Sequence, residues 1–406
     1  MHPVTLIQLI SEQTMPNLLP LLALQPAAVI HLTTDKTAHR SSRILDAAKA
    51  AGVSPLHENV RLSSMPSIRE SGRAVERAIR LARERSMKPV LNFTGGTKLM
   101  SIGAYEQAAK DQCPSFYVDT AERRFENGGS SPGLDELVGK GFSFQDLANI
   151  LNLDVIVAAN GHRSISSGRD WHSLRAAAIH LLEHPEHEEL AHESLHGKKG
   201  LLPNGNEPRD SAGWLALIDR TFTLPATLLP LLVDAGLVRQ ASDSAAMLMD
   251  SNRNDLEQLV NNPNTPGYFS AVGPLQQTLA FLTGGWWEVV VADAMDRSGR
   301  FRDLRWSAEV TQQSGTRVEE DLTAIDGVEA VCVSCKRGGA GKNRLLSHLE
   351  EFDSRAKAIG GQFTRRWIAV CHPPSGAAGV AVQRRSQELG IKLLSPSDLT
   401  RTDPFA

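Results

Sequence analysis

The first 120 residues alternate short apolar runs with longer amphipathic stretches, and that alternation leaves few folds open. Residues 4–10, 28–33, 89–93 and 115–119 have the length and apolar content of buried strands. Between them, residues 38–51, 68–85 and 98–110 repeat apolar side chains every three or four positions, the spacing of a helix with one buried face. Strands and helices in alternation build parallel β-α-β units, because each crossover helix returns the chain to the same sheet edge. The expected fold class is therefore α/β, opening with an N-terminal Rossmann-like parallel-sheet domain over residues 1–140.

A chain of 406 residues is too long for one ordinary core. The segment 141–274 shows no strand periodicity and holds two loop-like stretches, 197–211 and 261–267, rich in Gly, Pro and Asn. It is expected to be a helical connector. Inside it, LLPLLVDAGLV (228–238) reads as an apolar helix closing on Gly236, a pattern shared by winged-helix elements and by any buried helix with a glycine cap. From Pro274 the α/β pattern returns: a helix through Trp286, Trp287 and Glu288, strands at 304–310, 318–325 and 330–336, a helix at 343–359 and a strand at 367–371. A second α/β domain is expected over 275–406.

A net charge of -3 offers no global attraction to a polyanion, so a nucleic-acid site has to be a local basic patch. Four cysteines cannot frame a disulfide scaffold of this size, and no apolar run approaches the roughly 18 residues that span a bilayer. A cytoplasmic protein without membrane contact is expected.

Two places carry chemistry. The strand at 89–93 runs straight into Thr94, Gly95, Gly96, Thr97 and Lys98, after which helical spacing begins. Glycines let a ligand approach the backbone, and N–H groups at a helix start favour anions. A phosphate-bearing ligand suits the turn, although a tight strand-to-helix turn capped by Thr97 reads the same locally. The four residues a Walker A loop places between its glycines are missing, so ATP hydrolysis is not implied. Ser11, Gln13 and Thr14 follow the first strand and Thr34 follows the second, on the same expected rim. In the C-terminal half, Glu320 and Asp321 lie in one extended run, while the next ends on Ser334, Cys335 and Lys336. Period-2 alternation puts Ser334 and Lys336 on one face. A carboxylate beside a lysine can hold Mg²⁺ or Mn²⁺ and orient water, as phosphodiester hydrolysis requires, although a strand edge with ordinary solvated charges reads the same locally.

The stretches NFTGGTKLMSIGAYE (92–106), SEQTMPNLLP (11–20) and FYVDT (116–120) resemble the sensor domain of CRISPR-associated Rossmann-fold (CARF) proteins. The resemblance is strongest to type III CRISPR ancillary nucleases fused to a restriction-endonuclease-like domain of the PD-(D/E)xK class. It implies a homodimer binding one cyclic oligoadenylate, most often cyclic tetra-adenylate and less often cyclic hexa-adenylate. Thr94, Gly95, Gly96, Thr97 and Lys98 would then hold phosphates and riboses, with Ser11, Gln13, Thr14, Asn17 and Thr34 on the other walls. In the nuclease half it implies Asp321 as the acidic residue and Ser334-Cys335-Lys336 where the family's (D/E)-x-K stands. Because serine replaces the second carboxylate, either Glu288 or Glu320 completes the metal shell, or the site is weakened. Glu288 is favoured, since GGWWE (284–288) resembles the helix before the nuclease core, and the backbone carbonyl of Cys335 is a further ligand. Beside the lysine, Arg337, Lys342 and Arg344 surround a turn containing Gly338, Gly339 and Gly341, a basic turn that suits a DNA or RNA backbone and reads equally as solvated surface.

The leading expectation is a cyclic oligoadenylate-activated, metal-dependent nuclease. The alternative is a ligand-controlled transcriptional regulator that uses a winged helix and carries an inert nuclease-like domain; slow cleavage of the ligand by the sensor itself is a third. The Cys332/Cys335 pair lies within an expected strand and is discounted as a zinc site, and the run His180, His184, His187, His192, His196 is expected to be solvated surface.

Overall fold

A computed structural model describes residues 3–120, 122–128, 144–147, 149–166, 169–198, 200–202, 207–262, 268–338, 342–361, 364–401 and 404–405. The N-terminal strands are β1 (Val4–Leu9), β2 (Ala28–Thr33), β3 (Leu56–Arg61), β4 (Lys88–Asn92), β5 (Ser115–Asp119) and β6 (Arg124–Asn127). They form one sheet in the order β3-β2-β1-β4-β5-β6, parallel except for β6. Helices α1 (Met15–Leu24), α2 (Ala38–Ala50), α3 (Ile68–Glu84) and α4 (Lys98–Lys110) cover its faces. The expected Rossmann-like α/β domain is present. Its strands β1 and β2 are buried almost throughout, which is why they read as continuous apolar runs. In α3, Val75, Ala78, Ile79 and Ala82 form the buried stripe, and the Ser67 side chain caps the helix by accepting from Glu70 N–H.

The strand order reverses between β1 and β4, since β1 pairs with β2 on one side and β4 on the other. At such a switch point the loops leaving the two strands diverge to opposite faces and open a crevice. The loops after β1 and β4 are those that carry Ser11–Asn17 and Thr94–Lys98.

His31 sits wholly buried in β2, its Nδ1 2.7 Å from Ser41 Oγ, which lies 3.3 Å from His57 Nε2. Burial, and then the neighbouring His57, push its pKa down from 6.5 to about 3. The folded protein keeps this ring neutral while the unfolded chain protonates it below pH 6.5, so the stability it supplies is complete above pH 6.5 and is lost as pH falls toward 3. Each unit in that window costs about 1.4 kcal/mol. Thermal midpoints at about pH 7.5 and about pH 5 should therefore fall further for the native protein than for His31→Gln; equal falls would contradict it.

The connector departs from its expected strand-free character. It contains α5 (Leu153–Ala159), β7 (His162–Ile165), α6 (Arg175–Glu183), α7 (Pro185–His196), α8 (Ser211–Ile218), β8 (Phe222–Thr223), α9 (Leu229–Asp234), β9 (Val238–Ser242) and β10 (Ala245–Leu248). The last three strands form a small sheet in the order β8-β10-β9. Strands of two to five residues are too short to display an alternation that stands out from loop sequence, so only the helix-then-hairpin at α9 was visible. Gly236 closes α9 at φ +70°, a left-handed turn that suits glycine. The two loop stretches expected here lie partly outside the described residues, at 199, 203–206 and 263–267.

The C-terminal half holds α10 (Tyr268–Ala280), α11 (Trp286–Arg297), β11 (Arg302–Gln312), β12 (Arg317–Asp326), β13 (Glu329–Gly338), α12 (Lys342–Gly360), β14 (Thr364–His372), α13 (Gly376–Leu389) and β15 (Lys392–Leu394). Helix α10 runs across the boundary expected at 274/275. Its sheet has the order β15-β14-β13-β12-β11-β7, so a connector strand completes it. Val331, Val333 and Cys335 pack with Trp286 and Trp287, whereas Ala330 and Cys332 pack with Leu345 and Phe352 of α12, leaving both faces covered. The second cluster continues through Val155 and Ile156 of α5 to Leu18 and Ile44, so the sensor and the C-terminal domain share apolar packing. Among the described residues, no helix is long and apolar enough to cross a membrane.

Candidate functional site

At the switch point, Asn92 ends β4 and is fully buried. Its Nδ2 donates to Pro16 O at 2.9 Å, and its Oδ1 accepts from the Thr94 amide at 3.1 Å and the Thr94 hydroxyl at 2.6 Å. Thr94 Oγ1 in turn accepts from Val118 N–H at 2.7 Å, which ties the turn to β5. Gly95 is packed against β1 so closely that an added Cβ would lie 1.9 Å from Leu9 O. Gly96 has φ +79° and bends the chain into α4, whose N-terminal cap is the Thr97 hydroxyl accepting from Met100 N–H. Ser101 Oγ donates to Gly95 O at 3.0 Å and locks the turn from the helix side.

These contacts divide the expected residues. Thr94 and Asn17 support the turn: Asn17 is buried and its Nδ2 donates to Leu9 O at 2.9 Å. Thr97 and Lys98 are exposed at the rim, as is Gln13, while Ser11 is half-buried. Thr14 and Thr34 are buried, and Thr34 N–H donates to Thr37 Oγ1. Two polar atoms here, Thr14 Oγ1 and Asn17 Oδ1, are buried without a hydrogen-bond partner.

In the second site, Asp321 is the centre. Its Oδ2 accepts from Ser334 Oγ at 3.1 Å, from Cys335 N–H at 2.6 Å and from Lys336 Nζ at 3.2 Å. Ser334 and Lys336 thus share a face as the alternation indicated, and Cys335 enters through its backbone while its side chain packs inward. Glu288 lies in the first turn of α11, where Trp287 Nε1 donates to Ala369 O at 2.9 Å and fixes the helix against β14. Its Oε2 accepts from Trp306 Nε1 at 2.6 Å. Burial, and then the charge of Asp321, push the Glu288 carboxyl up to about 8, with Trp306 and Lys336 acting in the opposite sense. Two carboxylates held this close and poor in water repel one another, and a dication between them would offset that repulsion.

Glu320 is placed elsewhere. It is fully buried and accepts from Arg355 Nε of α12 at 2.8 Å, and burial raises its pKa to about 7 in spite of that partner. The residue that shares the cleft with Glu288 is its neighbour Glu319, which accepts from Ser307 Oγ and adds to the negative field on Glu288. Sequence reasoning missed Glu319. Its signal was the run Val318-Glu319-Glu320-Asp321, in which neighbouring side chains must point to opposite faces.

Glu288, Trp306, Ser307 and Glu319 line a cleft of 540 Å³ together with Gly236, Leu237 and Met249 of the connector. Lys336 lines a separate 410 Å³ hollow with Arg337, Arg344, His348 and His372. Arg344 is exposed there. Arg337 is held by the buried Glu188 of α7 through two of its nitrogens, so its charge is already compensated. Gly339, Gly341 and the side chain of Lys342 lie outside the described residues.

The two sites, one at a Rossmann switch point and one on a carboxylate-lysine sheet, define a CARF sensor joined to an endonuclease domain. Residues 5–130 match the Card1 CARF domain and residues 276–403 match the Card1-like endonuclease domain. The chain therefore joins a CARF domain to a Card1-like endonuclease domain. Among solved structures, Can2 from Sulfobacillus thermosulfidooxidans, in complex with cyclic tetra-adenylate, is similar at 18% identity and a TM-score of 0.66, covering 97% of this chain and 94% of its own. Protein VC1899 from Vibrio cholerae is similar at 14% identity and TM-score 0.66, covering 98% of this chain and 96% of its own. A type III CRISPR defence DNA nuclease activated by cyclic oligoadenylate aligns at 16% identity and TM-score 0.52, with 93% of this chain against 47% of that one. At such identities the likeness is one of fold. No curated protein matches the chain.

Proposed function

We propose that this protein is a metal-dependent nuclease of type III CRISPR defence, switched on by cyclic tetra-adenylate bound at a dimeric sensor. The observation that carries the reading is the convergence of Ser334, Cys335 N–H and Lys336 on one oxygen of Asp321, with Glu288 close enough to be perturbed by that charge. A set of hard oxygen donors suits Mg²⁺ or Mn²⁺. Glu288, Asp321, Glu319 and the Cys335 carbonyl would hold the ion, and Ser334 keeps the Asp321 carboxylate oriented where the family places a second acid. When bound, such an ion polarises a phosphodiester and lowers the pKa of water. Lys336 then orients the attacking water and balances charge on the scissile phosphate, and Arg344 meets the DNA or RNA backbone beside it.

In the sensor, Gly95 and Gly96 let the ligand approach the backbone, the amino end of α4 faces its phosphates, and Lys98 adds a cation. Thr97, Ser11 and Gln13 complete the walls at the rim, with the buried Thr14, Asn17 and Thr34 shaping them from behind. Dimerisation is supported by Leu99, Ile102 and Tyr105, which are 50%, 45% and 40% exposed in a row along α4 beside this turn. The apolar cluster through α5 gives ligand-induced shifts a packed route to the nuclease sheet.

The direct test is cleavage of plasmid, single-stranded DNA and RNA with Mg²⁺ or Mn²⁺, with and without cyclic tetra-adenylate and cyclic hexa-adenylate. Ligand-dependent cutting of any of these supports the reading. Ligand binding without cutting under either metal would favour a regulator that acts through the α9–β10 element. The carboxylate assignment has its own check. Glu319→Ala is expected to raise the Mn²⁺ concentration for half-maximal cutting about tenfold, whereas Glu320→Gln leaves it unchanged. Equal shifts in the two variants would contradict the placement of Glu319.

A further inference from the structure

We propose that the corner between α6 and α7 is a second metal site, one that takes a transition dication of the Zn²⁺ type through His184, Glu186 and His187. The histidine run was expected to be solvated surface, yet its rings meet. His184 caps the end of α6, Pro185 opens α7, and the turn brings His187 against His180 and His184. The ring centroids of the three lie 4.5, 5.0 and 5.1 Å apart. One ligand atom from each of His184, Glu186 and His187 falls within 4.8 Å of the others. His184 Nδ1 is 3.1 Å and His187 Nε2 3.9 Å from Glu186 Oε1. Nitrogens and oxygens bound at about 2.0–2.1 Å in a tetrahedron sit roughly 3.3 Å apart, so the set needs only small side-chain adjustments.

His180 supplies what a bare histidine pair lacks. Its Nε2 lies 2.9 Å from His187 Nδ1, and with His187 as donor that bond leaves the Nε2 lone pair of His187 aimed at Glu186. Ligating histidines are usually fixed in this way by a partner on the second ring nitrogen. Two imidazoles and one carboxylate with an open position form a set that Zn²⁺ accepts and that Mg²⁺ or Ca²⁺, which prefer oxygen, do not. The corner is open to solvent, with Glu186 63% and His184 44% exposed, so an ion can enter. The next residue is Glu188, which reaches back to Arg337 beside the nuclease lysine. An ion here would therefore pin the helix start from which that strut extends.

The site does not depend on the nuclease reading, and the experiment keeps the two apart. Full-length Asp321→Asn protein, stripped with a chelator, is titrated with Zn²⁺ alone by calorimetry and with Co²⁺ by visible absorption, without nucleic acid or cyclic nucleotide. Binding of one equivalent, with the absorption of nitrogen-ligated Co²⁺, is expected, and adding His187→Ala should abolish it. Where that variant folds poorly, Glu186→Gln on the exposed surface and His180→Gln should each weaken Zn²⁺ binding about tenfold or more. No binding to Asp321→Asn, or the same affinity with and without these changes, would overturn the proposal.

Discussion

Asp321→Asn is expected to lower the cutting rate about a thousandfold while leaving the fold intact. Asparagine keeps an oxygen for the Cys335 N–H, now 2.6 Å from Asp321 Oδ2, so the β12–β13 junction retains its main tether. What disappears is the one charge that Ser334, Cys335 and Lys336 all converge on. Metal-assisted charge stabilisation supplies several kcal/mol of transition-state binding, and about 4 kcal/mol corresponds to a factor of about 10³. The variant also relieves the strongest neighbouring charge on Glu288, so its thermal midpoint should not fall. Steady-state plasmid nicking and a melting curve on the same preparation check both halves. Activity within about tenfold of the native protein would place the reaction elsewhere.

Gly95→Ala is expected to cripple the sensor by geometry alone. The added Cβ would sit 1.9 Å from Leu9 O and 2.9 Å from Leu9 C, and both are backbone atoms of a buried strand that cannot turn aside. The turn would have to leave β1, breaking the Asn92–Thr94–Val118 chain of hydrogen bonds. A cost of about 3 kcal/mol follows, which lowers the midpoint of a domain this size by about 10 °C, and ligand binding is lost with it. Lys98→Ala is the contrasting case. Its exposed side chain contributes nothing to the turn, so affinity should fall while the melting curve stays in place. Calorimetric titration with cyclic tetra-adenylate separates the two, and a Gly95→Ala protein that melts and binds like the native one would contradict the packing described.

The sensor fold was legible because its inner strands are apolar along their whole length and its helices carry clean stripes, as in Val75–Ile79–Ala82 of α3. β3 was not, since Leu56–Arg61 is an edge strand with mostly exposed polar side chains. Helix α1 hid behind Pro16 and Pro20 and is buried nearly all round, leaving no polar face to set a period. The Asp321–Lys336 pair could be read from two neighbouring strands and Glu288 from the GGWWE resemblance, but which glutamate beside Asp321 faces the cleft could not. Glu319 and Glu320 are adjacent and chemically alike, and only Arg355, thirty-five residues on, shows which of them turns away from the cleft. The histidines at 180, 184 and 187 lay on two helices whose corner angle the sequence does not express.

The most direct test of the central claim, that a ligand at the switch point licenses cutting at Asp321, is one titration on two proteins. Cyclic tetra-adenylate binding and plasmid cutting in Mn²⁺ are followed together for the native chain and for Asp321→Asn. The account requires both to bind the ligand alike, with cutting in the native chain alone and rising along its binding curve. Full-rate cutting by the native chain without ligand, or cutting by Asp321→Asn, would contradict it.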